Sequence, residues 1–258
     1  MNKKPLLIIL AIFLPFTSIN AMVIYAHNFD TDDNSTFLTL VNKLLIENRL
    51  LNDSISINNY NNNSNSNEYI ENTENILEDI LISEDSFIID SNQFYNNTII
   101  ALVVANLADE VLRNYGHTFG VPSNIMLSIN FSNIININSQ NKTNDTANMS
   151  NHKNHTMQQG NGTFATDDGN GNGTIVNNPS YLSALEHSDR MIQLYNNELN
   201  GTSGESVYVN KAKSDLGNAL YELEKAIELK ESPYKIMEIV HGKVHPNLQI
   251  AFNLTLKR

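Results

Sequence analysis

The chain has no cysteine and no tryptophan. Without cysteine there are no disulfides, thiolate zinc sites, iron–sulfur clusters or cysteine nucleophiles. Charge is scarce as well: charged residues make up 17% of the 258 residues, against about 25% in an average globular chain. Basic charge is scarcest. Lys and Arg total 16 against 28 Asp and Glu, a net charge of −12. A nucleic-acid binder draws its affinity from Lys and Arg that neutralise phosphates, so this balance argues against one. It argues equally against docking on an anionic membrane surface. Also missing are a phosphate loop, a dinucleotide glycine pattern, GxSxG and HExxH, so the motif-bearing enzyme classes have no foothold.

Asparagine takes the place of charge, with 43 residues. Thirteen begin an N-x-S/T sequon: Asn34, Asn52, Asn62, Asn96, Asn130, Asn141, Asn144, Asn148, Asn154, Asn161, Asn172, Asn200 and Asn253. Given the Ser and Thr content, chance predicts about six, so the set is enriched about twofold. We read the first twelve as N-glycosylation acceptors. Asn253 is expected to stay unmodified, because Leu248, Phe252 and Leu254 mark its segment as packed.

The N-terminus reads as an export signal over residues 1–26. Asn2-Lys3-Lys4 is a basic start, and Leu6 to Phe16 is an apolar run of 11 residues. That suits a signal-peptide core and falls short of the roughly 20 residues that span a bilayer. Cleavage after Ala21 or after Ala26 fits equally. An uncleaved anchor running to Tyr25 is the alternative, and would be the only link to a membrane. In every case the remainder is expected outside the cytoplasm, secreted or at the cell surface.

Beyond the leader, hydrophobic spacing predicts an all-α helical bundle of five or six helices, interrupted by a long disordered Asn-rich insertion. Residues 27–120 hold the N-terminal helices. The first runs over 34–51 with Asp33 as cap, and the second over about 68–82, after a linker over 52–67. The second has Tyr69, Ile70, Ile76, Leu77, Ile80 and Leu81 on one side. The third starts at Asn97 or Thr98 and ends at Gly116 as a natural C-terminal cap. Residues 121–178 are read as the disordered, sequon-rich linker, since from Asn138 onward they hold too little apolar surface to offset ordering entropy. Residues 179–258 hold the C-terminal helices. One follows Asn178-Pro179. The next carries Val209, Ala212, Leu216, Ala219, Leu223 and Ala226 at alternating 3–4 spacing. A short helix over 233–241 is expected to break at His241-Gly242, with Pro246 opening a last turn.

His27-Asn28-Phe29, the run Ala101 to Gly116 and the ending Ile239 to Leu254 together resemble uncharacterised secreted proteins of ammonia-oxidising archaea. That resemblance implies archaeal export. It also implies copper as an available ligand, because those organisms use copper outside the membrane.

Three groups could hold a metal. Met149, His152, His155 and Met157 bring thioether and imidazole together, a set that suits copper. His27 would pair its imidazole with a free α-amino group if cleavage falls after Ala26. His241 and His245, spaced i, i+4 with Glu238 a turn earlier, would share a face of a continuous helix. The plainer reading of that pair is structural, with His241 meeting the last carbonyls of a helix end. His187 reads as a solvated or half-buried helix residue, and His117 as part of a helix cap.

Three functions follow. The first is an exported, acidic, glycosylated bundle with a non-enzymatic binding or cell-surface role, its partner an extracytoplasmic protein or a metal ion. The second is an extracytoplasmic copper-binding or copper-buffering protein. The third is a metal-dependent bundle enzyme, which requires His241, His245 and a further ligand such as His187 to converge.

Overall fold

The computed structural model describes residues 32–57, 64–83, 88–128, 175–201 and 206–255. The described residues are helical, with no strand among them: the protein is an all-α bundle. Helix α1 spans Asp33–Ile57 and α2 spans Ser64–Ser83, and they pair as a hairpin. After a short 3₁₀ turn at Ser91–Gln93 come α3, Asn97–Thr118, and α4, Ser123–Met126. Then follow α5, Asn178–Leu194, α6, Val207–Glu228, α7, Pro233–Ile239, and α8, His245–Phe252. No helix among the described residues is long and apolar enough to cross a membrane.

Helix α3 is the axis. Leu102, Val103, Val104, Leu107, Ala108, Val111, Leu112 and Tyr115 bury it on nearly every side. A helix apolar all round must be surrounded: α1, α5, α7 and α8 pack about it, and α6 packs on α5, α7 and α8. The seam of α6 holds as spaced: Ala212, Leu216, Ala219, Leu223 and Ala226 are buried, and Val209 at its start is half-buried. The buried face is wider than the seam, since Lys213, Gly217, Leu220 and Ile227 also face inward.

Several boundaries differ from the sequence reading. Asp32, not Asp33, caps α1: its Oδ1 accepts the Asn34 N–H at 2.8 Å. Helix α1 runs on to Ile57 and α2 starts at Ser64, so the gap between them is shorter than 52–67. The hydroxyls of Ser54 and Ser66, 3.1 Å apart, tie the two ends together. Gly116 is inside α3, not at its end. A side chain there would collide with Met126 of α4, so glycine serves close approach. The true end is Gly120, with φ +71°, and the Val121 N–H returns to the Gly116 carbonyl at 2.8 Å. The cap of α5 is Asn177, whose Oδ1 accepts the Ser180 N–H at 3.0 Å.

Residues 121–128 and 175–178, placed in the linker by sequence, are described and partly packed: Met126 and Leu127 belong to the main core. The rest of the expected insertion, residues 129–174, lies outside the described residues.

The C-terminus holds the largest correction. Gly242 does not break the helix. Residues Val240–Val244 form a π turn that joins α7 to α8 in one continuous helical path. A π turn shifts the carbonyl ladder by one residue. The ladder restarts at His245, so Pro246 occupies a first-turn position, where its missing N–H leaves no bond unmade. A second π turn at Tyr195–Leu199 ends α5, with the Asn200 N–H on the Tyr195 carbonyl at 2.9 Å.

Candidate functional site

Two polar groups are buried against two different flanks of α3, reached by the consecutive residues Asp109 and Glu110. About 100° separates successive residues on a helix, so one residue turns toward α8 and the other toward α1.

The Asp109 side contains the predicted histidine pair. Because the helix is continuous, His241 and His245 do share a face, with ring centroids 5.4 Å apart, edge to face. His241 Nε2 meets the Met126 carbonyl at 3.0 Å. His245 is buried, and its Nε2 stands 3.6 Å from Asp109 Oδ1, a charge contact longer than a hydrogen bond. The acid beside the pair is thus Asp109 from α3, not Glu238, which is exposed and bound to Lys235 at 3.1 Å. Burial pushes the Asp109 carboxyl up to about 7, Arg113 pulling it back only in part and Glu110 adding to the rise. His241 binds a carbonyl from outside its own helix, so its role is tertiary rather than that of a helix-end cap.

The Glu110 side is an interface among α1, α2, α3 and α5. Lys43 Nζ donates to Glu110 Oε1 at 3.0 Å, and Arg113 stands 3.7 Å away. Burial raises the Glu110 carboxyl, but Lys43, Arg113 and His187 outweigh it and leave it below its ordinary value. His187 is fully buried, not solvated. Its Nδ1 meets the Ser183 carbonyl at 2.6 Å, and burial holds its pKa below the usual histidine range. Next to it, buried Glu47 accepts from Ser183 Oγ at 2.9 Å and from Asn72 Nδ2 at 3.1 Å. Burial still leaves Glu47 with a raised pKa, those two bonds offsetting only part. Arg190 Nε donates to Asn42 Oδ1 at 2.6 Å, and Asn106 Nδ2 to Thr39 Oγ1 at 3.1 Å. Glu68 of α2 accepts from Asn177 Nδ2 at 3.1 Å, and His117, whose carbonyl takes the Gly120 N–H at the end of α3, also meets Ser180 Oγ through its ring at 2.9 Å.

These groups carry no metal site. Among the described residues no three or more His, Asp or Glu side chains could hold a metal ion together. His187 sits with Glu110, and His245 with Asp109. The remaining metal candidates, His27, Met149, His152, His155 and Met157, lie outside the described residues.

Of the sequons, Asn52, Asn96 and Asn200 are exposed. Asn96 caps α3, accepting the Thr98 N–H at 2.9 Å, and Asn200 closes α5. Asn34 is different: it is 6% exposed, and its Oδ1 accepts the Asp90 N–H at 2.8 Å, tying α1 to the loop before α3. The fold does not present it as an acceptor. Asn253 departs the other way. Phe252 and Leu254 are buried as expected, but Asn253 itself takes φ +52° and points outward, with Thr255 also exposed. The remaining sequons lie outside the described residues.

Several contributors had no local signal. Lys213 is buried, donates to the Gly201 carbonyl at 2.9 Å and lies over the Phe252 ring at 5.3 Å. Gly217 admits the Tyr195 ring against α6, where any side chain would clash at 2.7 Å. The Tyr195 hydroxyl donates to the Lys213 carbonyl at 2.9 Å.

No protein-family model, curated protein or solved structure matches this chain. What its geometry defines is a class: an all-α protein with one dry helical core and an acidic hairpin attached through a polar seam.

Proposed function

We propose that the protein is an exported, N-glycosylated, acidic binding protein of the cell exterior. The observation that carries this reading is the placement of the sequons. Asn52, Asn96 and Asn200 stand exposed along the helices or at their ends, where a glycan would extend into solvent without disturbing the core. The basic start and 11-residue apolar run of the leader support the same reading, as does the resemblance to secreted archaeal proteins. Once the leader is removed, Lys3 and Lys4 go with it, and the remaining chain is at −14. Such a surface favours solubility and selects cationic partners. The polar groups flanking α3 hold helices together, a structural use that leaves recognition to the surface.

Glycopeptide mapping and N-terminal sequencing of the protein from its native cells test this. The expected result is a start at Met22 or His27, with glycan on Asn52, Asn96, Asn200 and the sequons of the 130–172 segment. Asn34 is expected to be bare. Asn253, exposed like Asn200, joins the accessible set. An intact Met1 with every sequon bare would refute the proposal.

A further inference from the structure

We propose that the outward apolar row of α2, formed by Ile70, Leu77 and Leu81, is a docking surface for a basic amphipathic helix of a partner protein. The inference deepens the binding role above and rests on it. The stripe read from the sequence of α2 is twice as wide as the contact the helix makes. Tyr69 and Ile76 are buried against the rest of the protein. Ile70 and Leu77, each one position further on, and Leu81, one past the half-buried Ile80, are 41%, 43% and 67% exposed. Their spacing of 7 and 4 residues lines them up on one face over about 16 Å, from the 1.5 Å rise of a helix. That length matches about three turns of a partner helix in a hydrophobic groove.

Charge chooses the occupant. Helix α2 contains Glu68, Glu71, Glu74, Glu78 and Asp79 and no Lys or Arg. At 100° per residue, Glu74, Glu78 and Glu71 fall in succession along one side of the row, while Tyr69 and Ile76 bound the other. All three glutamates are exposed. A second copy would bring the same acidic edge to the contact, and an anionic membrane or nucleic acid would bring more negative charge. A helix with leucines on one stripe and lysines beside it satisfies both the apolar row and the acidic edge.

The test uses the mature chain, residues 27–258, and a labelled 21-residue synthetic peptide with leucine at a/d spacing and lysine beside it, followed by anisotropy. Binding that weakens with salt is expected. The double variant Leu77→Ser, Leu81→Ser should lose at least about tenfold in affinity. Both positions are exposed, so the fold should persist, and circular dichroism checks it. The triple variant Glu71→Gln, Glu74→Gln, Glu78→Gln should flatten the salt dependence while binding survives at high salt. Unchanged affinity in the serine variant would overturn the proposal. So would equal binding of a peptide with serine for leucine, since that is charge attraction alone. Dimerisation of the wild type that the serine variant abolishes would assign the row to a second copy instead. Leader cleavage and glycan mapping are independent of this titration, so a failed docking site is distinguishable from a failed export reading.

Discussion

The two flanks of α3 are assembled on different physical terms. Toward α6, α7 and α8 the contact is mainly apolar: Leu107, Val111, Leu112, Leu216, Leu220, Leu223 and Ile227 belong to one continuous core, with the buried Asp109–His245 contact at its α8 edge. Its favourable term is apolar burial, roughly 25 cal/mol per Å², and Asp109 is the carboxyl set into its edge. Toward α1 and α2 the contact is carried by Lys43–Glu110, Arg190–Asn42, Asn106–Thr39 and Glu47 with its two donors. The hairpin has only a small apolar cluster of its own, Ile46, Leu50 and Tyr69. A hydrogen bond contributes about 1 kcal/mol net, but leaving a buried partner unsatisfied costs more. The polar flank therefore fixes the position of the hairpin without adding much stability, and it depends on ionisation. The protein is a stable scaffold that carries a less stable acidic arm.

Each side can be broken separately. The largest effect belongs to the dry side. Leu107→Ala should cost about 2–5 kcal/mol, the range for a buried leucine, and lower the midpoint of the whole unfolding transition in denaturant. Next comes Glu47→Ala, which strands the Ser183 hydroxyl and the Asn72 amide. We expect about 1–3 kcal/mol, concentrated in α1 and α2. Amide exchange there should quicken while α6 stays protected; an equal rise in both helices would mean that the seam and the core are one cooperative unit.

A pH dependence comes third. The folded pKa of Asp109 is above its unfolded value, so its contribution is fully present below about pH 4. It is then lost as pH rises toward 7. The limiting slope is about 1.4 kcal/mol per pH unit. Arg113 and Glu110 are the charged groups that act on that carboxyl, and the His245 imidazole stands 3.6 Å from it. Asp109→Asn removes the titration and should become more stable relative to the wild type between pH 5 and pH 7. Parallel stability curves for the two proteins would show that Asp109 does not titrate in this window. Glu110 has the opposite sign. Its lowered pKa gives stability that is present above about pH 4.5 and lost in acid. The smallest effect is at a cap: Ser206→Ala removes the acceptor of the Val209 N–H and should cost about 1 kcal/mol by thermal melting.

The dry side was legible in sequence because its signal is periodic. The stripes of α3 and α6 repeat at 3–4 spacing, and the helices sit where those stripes predict. The polar side was not, because its signal is pairwise and non-local. Ser183 meets Glu47 across 136 residues, and His245 meets Asp109 across the same span. One sign was present: Asn106, Asp109 and Glu110 interrupt an otherwise apolar run from Ile99 to Leu112, and a polar or charged group there calls for a buried partner. Gly116 and Gly242 were misplaced for a common reason. Glycine read as a terminator says nothing of a neighbour that needs its missing side chain, nor of a π turn that carries the helix past it. On α2 the full apolar width was legible, but not which half would be covered.

Native-state hydrogen exchange on residues 27–258, followed residue by residue, tests the scaffold-and-arm account most directly. The account predicts that α2 and the far half of α1 open at lower free energy than α3 and α6, without global unfolding. It also predicts that the gap widens in acid as Glu110 is protonated, and more so in Glu47→Gln, which removes the opposing titration of Glu47. A single opening free energy shared by α2, α3 and α6 across that pH range would contradict it.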